Sequence, residues 1–411
     1  MNAHGSGCEP TKRRDMPRRF AYNRMEFAGS LGDLGTLLPI AIAMVSFNGL
    51  SPVGVFFSIG IFYIISGSYF RVTVPVQPMK VIGAYAVATS MSVEQILASG
   101  LLMSIFLLLV GVTGTIDVIA KSTPRSVIRG IQLSTGALLI SGGTKYITGT
   151  TAYQKAYQMV EPHLAYQAFG PVPISLLIGS AAAVTTLLLL DNKRFPGGLI
   201  VVVGGVLAGL ILGAQADMQV GFTLPQILPF GFPSQVDFSF ALIALVLPQL
   251  PMTLGNAVLA YTDLSKDYFA DESARISNRS ACISMALANF LSFLLGGMPL
   301  CHGAGGLAAH FRFGARTAGS NIIIGAIFII LALFFGADIV KVFHLLPMSI
   351  LGVLLIFAGS QLTLTIMDLR ERKDFFVTTL ILGITLASNL AVGFIVGMAI
   401  ALLLRWERLS V

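Results

Sequence analysis

The chain has 411 residues, of which 55% are hydrophobic and only 11% charged, and it carries a formal net charge of +7. Soluble domains carry about 25% charged residues, so this composition excludes a water-facing globule and makes the bilayer the natural solvent. Three cysteines without paired spacing (Cys8, Cys282, Cys301) give no disulfide framework and no zinc motif.

In chain order, residues 1–26 form a basic tail holding Lys12, Arg13, Arg14, Arg18, Arg19 and Arg24. A long apolar stretch follows it rather than a short one with a cleavage site, so the tail reads as retained and cytosolic. Fourteen membrane segments are expected, near 27–47, 53–70, 76–92, 96–118, 127–143, 171–190, 197–215, 238–260, 277–293, 300–311, 318–336, 342–365, 374–390 and 391–405. The class is therefore an all-α polytopic membrane protein. Stretches 144–170 and 216–237 are expected as external loops or surface helices, and 262–279 as an acidic cytosolic loop. After the last segment only the short cytosolic tail 406–411 is expected, with no soluble domain.

Basic residues test this map, because cytosolic loops collect Lys and Arg. Of the 26, twenty-two fall on the side of the N-terminus, and Lys145, Lys155 and Lys341 on the other; Lys80 lies inside a segment. A missed or invented segment would move every later loop to the wrong side and blur this bias. Topology thus accounts for the basic charge, and no nucleic-acid partner is implied.

The chain repeats itself. The first segment reads GDLGTLLPI (32–40) and the eighth PQLPMTLGNAVLA (248–260), each interrupted by Gly or Pro with a polar side chain, Asp33 or Asn256. The third reads VPVQPMKVIGAYA (74–86) and the tenth GMPLCHGAGGLAAH (297–310), each a short helix behind a Pro-containing extended stretch. Aligning Pro75 with Pro299 sets Gln77 opposite Cys301. Asp33 then precedes Gln77 by 44 residues and Asn256 precedes Cys301 by 45. This is a duplication of seven segments, and an odd number inverts the second copy in the membrane. Paired, interrupted short segments point to a transporter's binding site. A half-helix that starts at mid-membrane leaves N–H groups free there, and with the dipole's positive end they attract an anion. Two such half-helices, starting near Pro78 and Cys301, would face one substrate.

The segments GDLGTLLPI, PVQPMK and PLCHGAGGLAAHFRFGAR resemble the signatures of the plant and bacterial molybdate transporter family, a branch related to the sulfate permeases but without their STAS domain. The resemblance runs through essentially the whole chain, and the third motif is the most specific. It implies a core domain (27–120 and 238–337) that moves against a gate domain (121–237 and 338–405). It also implies a homodimer, and the short tails fit a plasma or bacterial inner membrane. The implied substrate is molybdate, with tungstate a second candidate and sulfate a weaker competitor. No metal or other cofactor is expected.

Each candidate residue has a plainer reading. Asp33 either couples transport to a proton from one layer behind the anion, or caps a helix break. Gln77 either donates to the oxyanion or caps its own turn. Lys80 balances the anion, pairs with Asp33 or snorkels to the cytosolic face. Gln249, Thr253 and Asn256, at i, i+4 and i+7, form a polar wall on the substrate or bond neighbouring helices. Cys301, His302, Gly303, Ala304 and Gly305 open the tenth segment. There the small residues let backbone approach an anion, and His302 either adds a proton-dependent charge or bonds a helix end. Thr36 and Met79 complete the candidate substrate-binding set. Rival readings are a sulfate or other anion permease of the same fold, a nucleobase-type carrier and an anion channel. A carrier of neutral rings would need carboxylates where Asn256 and Cys301–His302 stand. A membrane enzyme lacks a nucleophile–base or metal constellation, and no Walker A sequence supports ATP drive.

Overall fold

The computed structural model describes residues 20–116, 124–189, 197–214 and 220–404. Most of the basic N-terminal tail, with Lys121, Lys193, Arg194, Arg405 and Arg408, lies outside the described residues.

Helix follows the apolar stretches. The chain opens with α1 (Arg24–Ser30), α2 (Leu34–Asn48), α3 (Pro52–Phe70), strand β1 (Gln77–Pro78), α4 (Lys80–Thr89), α5 (Val93–Thr113) and α6 (Arg125–Thr148). A six-residue helix, α7 (Ala152–Tyr157), and a small hairpin, β2 (Ala168–Phe169) with β3 (Val172–Pro173), lead to α8 (Ile174–Leu189) and α9 (Gly197–Ile211). The long α10 (Gln235–Ser273) comes next. There follow α11 (Asn278–Leu294), β4 (Leu300–Cys301), α12 (Ala304–Arg312), α13 (Ala318–Phe335), α14 (Ile339–His344), α15 (Met348–Thr363), α16 (Arg372–Ala387) and α17 (Leu390–Leu403). Among the described residues, five helices are long and apolar enough to cross a membrane by themselves: α3, α5, α10, α13 and the run Met348–Asp368. Large apolar side chains such as Leu109, Leu188, Ile211, Ile243 and Leu386 face outward, as lipid contact requires.

Two expectations need correction. Segment eight is not broken: α10 continues through Pro248 and Pro251, and takes π-helical turns at Leu242–Val246 and Thr253–Ala260. A proline lacks the N–H that the helical ladder needs, and a wider turn absorbs the irregularity. The acidic stretch from 262 is likewise no loop at first, because helix persists to Ser273.

Glycine sets the closest helix pairs. A Cβ on Gly60 would come within 2.7 Å of the Gly325 carbonyl oxygen, and one on Gly325 equally close to that of Gly60. Gly136 and Gly359 meet at 2.5 Å in the same reciprocal way between α6 and α15, and Gly143 with Gly352 repeats the contact two turns along. Lipid offers no hydrophobic drive between helices, so close backbone fit substitutes for it.

Two buried glutamates tie distant segments to helix starts. Glu26 accepts hydrogen bonds from the N–H groups of Arg316 (3.1 Å) and Thr317 (3.0 Å) at the head of α13. Glu161 accepts from Met348 N–H (2.7 Å) and Ser349 N–H (2.9 Å) at the head of α15. Both carboxylates supply what uncapped N-termini lack.

Near Glu161 the His163 ring stacks on His344, with centroids 3.6 Å apart, and its Nε2 lies 3.1 Å from the Tyr153 hydroxyl. Burial, helped by the neighbouring His344, lowers the His163 pKa from 6.5 to about 4. The folded state therefore resists protonation here. The stability His163 contributes is whole above pH 6.5 and is lost as pH falls toward 4. Thermal melts of detergent-solubilised protein are expected to drop across that window less steeply for His163→Phe than for the wild type; identical slopes would refute the assignment.

Candidate functional site

The site is built where two extended stretches meet inside the helical mass. Residues 72–79, running from the end of α3 to the start of α4, are fully buried. Extended backbone at that depth is tolerable only if its polar groups find partners. Gln77 pairs antiparallel with Cys301, and Pro78 with Leu300. Met79 N–H donates to Pro299 O at 2.9 Å. Beyond the ladder, two asparagines bracket the strands. Asn321 accepts from Val74 N–H (2.9 Å) and donates to Val74 O (2.8 Å). Asn289 accepts from Leu300 N–H (2.9 Å) and donates to Leu300 O (2.7 Å). The sequence reading did not single out these two residues. A lone amide inside an apolar segment was the available signal.

Strand pairing moves both helix starts. α4 begins at Lys80 rather than Pro78, and α12 at Ala304 rather than Cys301. The two ends are not alike. At α4, Gln249 Oε1 accepts from Val81 N–H (3.0 Å) and Ile82 N–H (3.2 Å), while its Nε2 donates to Thr253 Oγ1 (2.9 Å). The expected pair of open helix ends is therefore corrected: Gln249 already occupies one, and Thr253 holds Gln249 in place. No side chain caps α12. Its Gly305 is exposed, and a Cβ built there meets nothing within 4 Å. Within the first turn of α12, Gly305 thus borders open space, while Gly303 and Gly306 are packed.

Around that opening stand further candidates. Gln77 Nε2 donates to Asp33 Oδ2 at 2.6 Å, and Gln77 Oε1 is buried with no hydrogen-bond partner. Asp33 is thus bonded directly to Gln77. Gly306 packs against this bond; a Cβ there would sit 2.5 Å from Asp33 Oδ2 and 2.7 Å from Gln77 Nε2. Gly303 fits between Gln77 and the Asn256 amide nitrogen, which would lie 3.4 Å from an added Cβ. Asn256 is half-buried in the second π-turn of α10. Its expected i+7 placement on a regular helix is therefore shifted. Lys80, half-buried, forms no salt bridge with any described residue, and its ammonium acts through space on Asp33 and Cys301. Thr36 is half-buried one turn into α2, its N–H bonded to Asp33 O at 3.0 Å.

His302 is placed differently from its expected role. It is fully buried, with Nδ1 donating to Pro75 O (2.9 Å) and Nε2 accepting from the Ser284 hydroxyl (3.1 Å). Its ring packs against Phe62, Phe70 and Tyr261. With both nitrogens engaged and aromatic walls around it, His302 pins the strands together. Cys301 Sγ contacts Pro78 O at 3.5 Å, and Met79 is buried as the residue before α4.

The profile described as "Molybdate transporter of MFS superfamily" matches residues 25–139 and 241–362. Molybdate transporter 2 of Arabidopsis thaliana is 31% identical, over 94% of this chain and 88% of its own length. The chain belongs to the molybdate transporter family. Molybdate transporter 1 of the same plant is 29% identical over 92% of this chain and 87% of its own length. Molybdate transporter 1 of Chlamydomonas reinhardtii is 30% identical over 91% and 90%. These relatives are named as transporters, not enzymes. Among solved structures, the transmembrane domain of BicA, a cyanobacterium bicarbonate transporter, overlays with a TM-score of 0.64 at 15% identity, covering 91% of this chain and 97% of that one. Murine Slc26a9, an anion transporter in the inward-facing state, overlays with a TM-score of 0.65 at 15% identity, covering 93% and 68%. This molybdate transporter family member thus has the fold of integral membrane anion transporters.

The neighbouring glycines of α12 separate fit from opening. Gly306→Ala forces a methyl group into the Asp33–Gln77 bond and is expected to cost about 1–3 kcal/mol, as overpacking does. Gly305→Ala meets only open space and is expected to leave stability unchanged or raise it by about 0.4–1 kcal/mol. Unfolding midpoints of the two purified variants check this; equal losses would mean that Gly305 is enclosed.

Proposed function

We propose that this chain is a secondary active transporter that imports molybdate, and that the oxyanion binds at the open N-terminus of α12. The observation that carries the reading is the start of α12, where the N-cap Gly303 has no side chain to offer and Gly305 borders open space. The free N–H groups and the positive end of the helix dipole at such a start attract an anion. Gln77 and Asn256 flank the opening as uncharged groups. Mostly neutral donors suit a dianion that must also leave, because several fixed cations would trap it. Tungstate shares the charge and shape of molybdate and is carried by the same site.

The architecture in this reading is fourteen segments in two inverted sevens, with α4 and α12 as half-helices and both termini cytosolic. Gln77 and Cys301 support it. They are equivalent in the repeat alignment and also pair with each other, as residues beside a pseudo-two-fold axis must. The core (27–120 and 238–337) then moves against the gate (121–237 and 338–405) to alternate access. Asp33, bonded to Gln77 at the site wall, couples transport to a proton.

The test is uptake into proteoliposomes under an imposed proton gradient, at low molybdate, with and without a large excess of sulfate. Accumulation that survives sulfate is the expected outcome. Accumulation of sulfate in its place would make the chain a sulfate permease of the same fold, and passive equilibration without uphill uptake would make it a channel. Asp33→Asn is expected to abolish the pH dependence of uptake; a variant with the full wild-type pH profile would remove proton coupling through Asp33.

A further inference from the structure

A cavity of about 540 Å³ lies at the far end of α4 from the site. It is lined by Ser46 and Phe47 from α2, Thr89 and Ser90 from the end of α4, and Lys145 and Tyr146 from α6. α4 has ten residues, so the cavity and the opening at α12 stand about 15 Å apart along one helix. Two features mark this cavity out. Lys145 is its only basic lining residue, and Lys145 forms no salt bridge with any described residue. Hydroxyls supply most of the remaining polar lining, and no carboxylate is present to repel an anion. Between α2 and α6 the rings of Phe47 and Tyr146 stack at 4.9 Å, closing one side of the cavity with aromatic surface.

We infer that this cavity is a second, hydrated anion site, in which Lys145 collects a tetrahedral oxyanion dianion before it reaches the site at α12. The inference rests on the anion-transport reading and adds a separate capture step to it. Size decides the kind of site. At about 30 Å³ per water, the cavity has room for an oxyanion together with a shell of water. Such an ion keeps much of its hydration and is held by charge rather than by a fitted donor cage. Of Lys145, in the last turn of α6, and Lys155, in α7, only Lys145 lines this cavity. A concave, low-dielectric wall with one sign of charge raises the local concentration of the opposite ion.

A lysine in the last turn of α6 also suits the negative end of the helix dipole, so the test must separate capture from stability. Initial uptake rates of wild type, Lys145→Met and Lys145→Arg are measured in proteoliposomes at low and high ionic strength. The oxyanion is whichever of molybdate or sulfate the wild type accumulates, so a wrong substrate assignment leaves this test intact. At low ionic strength Lys145→Met is expected to raise KM about tenfold with Vmax retained, the low end of the range that electrostatic focusing produces. Lys145→Arg is expected to restore the wild-type KM. At about 1 M salt, where the screening length falls to about 3 Å, the difference is expected to vanish. An unchanged KM in Lys145→Met at low ionic strength, or a fall in Vmax and melting temperature with KM unchanged, would overturn the inference and leave Lys145 as a helix-end residue.

Discussion

Everything in this structure depends on satisfying extended backbone buried inside the helical mass. A helix answers its own hydrogen bonds, whereas residues 72–79 and 297–303 cannot, and hydrocarbon offers them no water. The strand pair Gln77–Pro78 with Leu300–Cys301 answers some of these groups, and the bracketing amides of Asn321 and Asn289 answer others. His302 adds a bond across to Pro75 O. Only with these partners in place can α4 and α12 begin inside the protein, with their first turns beside the site.

The two helix starts then take different paths. Gln249 meets two N–H groups at α4 with a neutral carbonyl oxygen. At α12 the N-cap is Gly303, which has no side chain to offer a donor. The two helix starts thus differ through one glutamine on α10. Gln77 holds the Asp33 carboxyl beside the start of α12, where Gly306 packs against their bond.

Much of this was legible in the sequence, and the exceptions have physical causes. Apolar length located the helices, and the matching VPVQPMK and GMPLCHGAGG stretches located the crossing point, because a proline before a short helix leaves few alternatives to extended backbone. The role of His302 was not legible, since its partners Pro75 and Ser284 and its aromatic walls come from segments distant in the chain. Prolines 248 and 251 suggested a break in α10, but tertiary packing carried the helix through with wider turns, and this also displaced Asn256 from a simple i+7 position. Gln249 was singled out for the substrate. Its spacing to Thr253 was read correctly, but one-dimensional spacing could not reveal that α4 lies across from it.

The contact between α6 and α15 has one consequence for how this molecule responds to change. Gly136 with Gly359, and Gly143 with Gly352, bring main chain directly against main chain, with no side chains between them. Alanine scanning measures what is lost when atoms are removed, and here there is nothing to remove. At these four positions alanine is the larger residue, so the scan reverses its meaning: damage marks added volume. A survey that skips glycine, as truncation surveys do, would record this seam as silent although it is among the tightest in the fold.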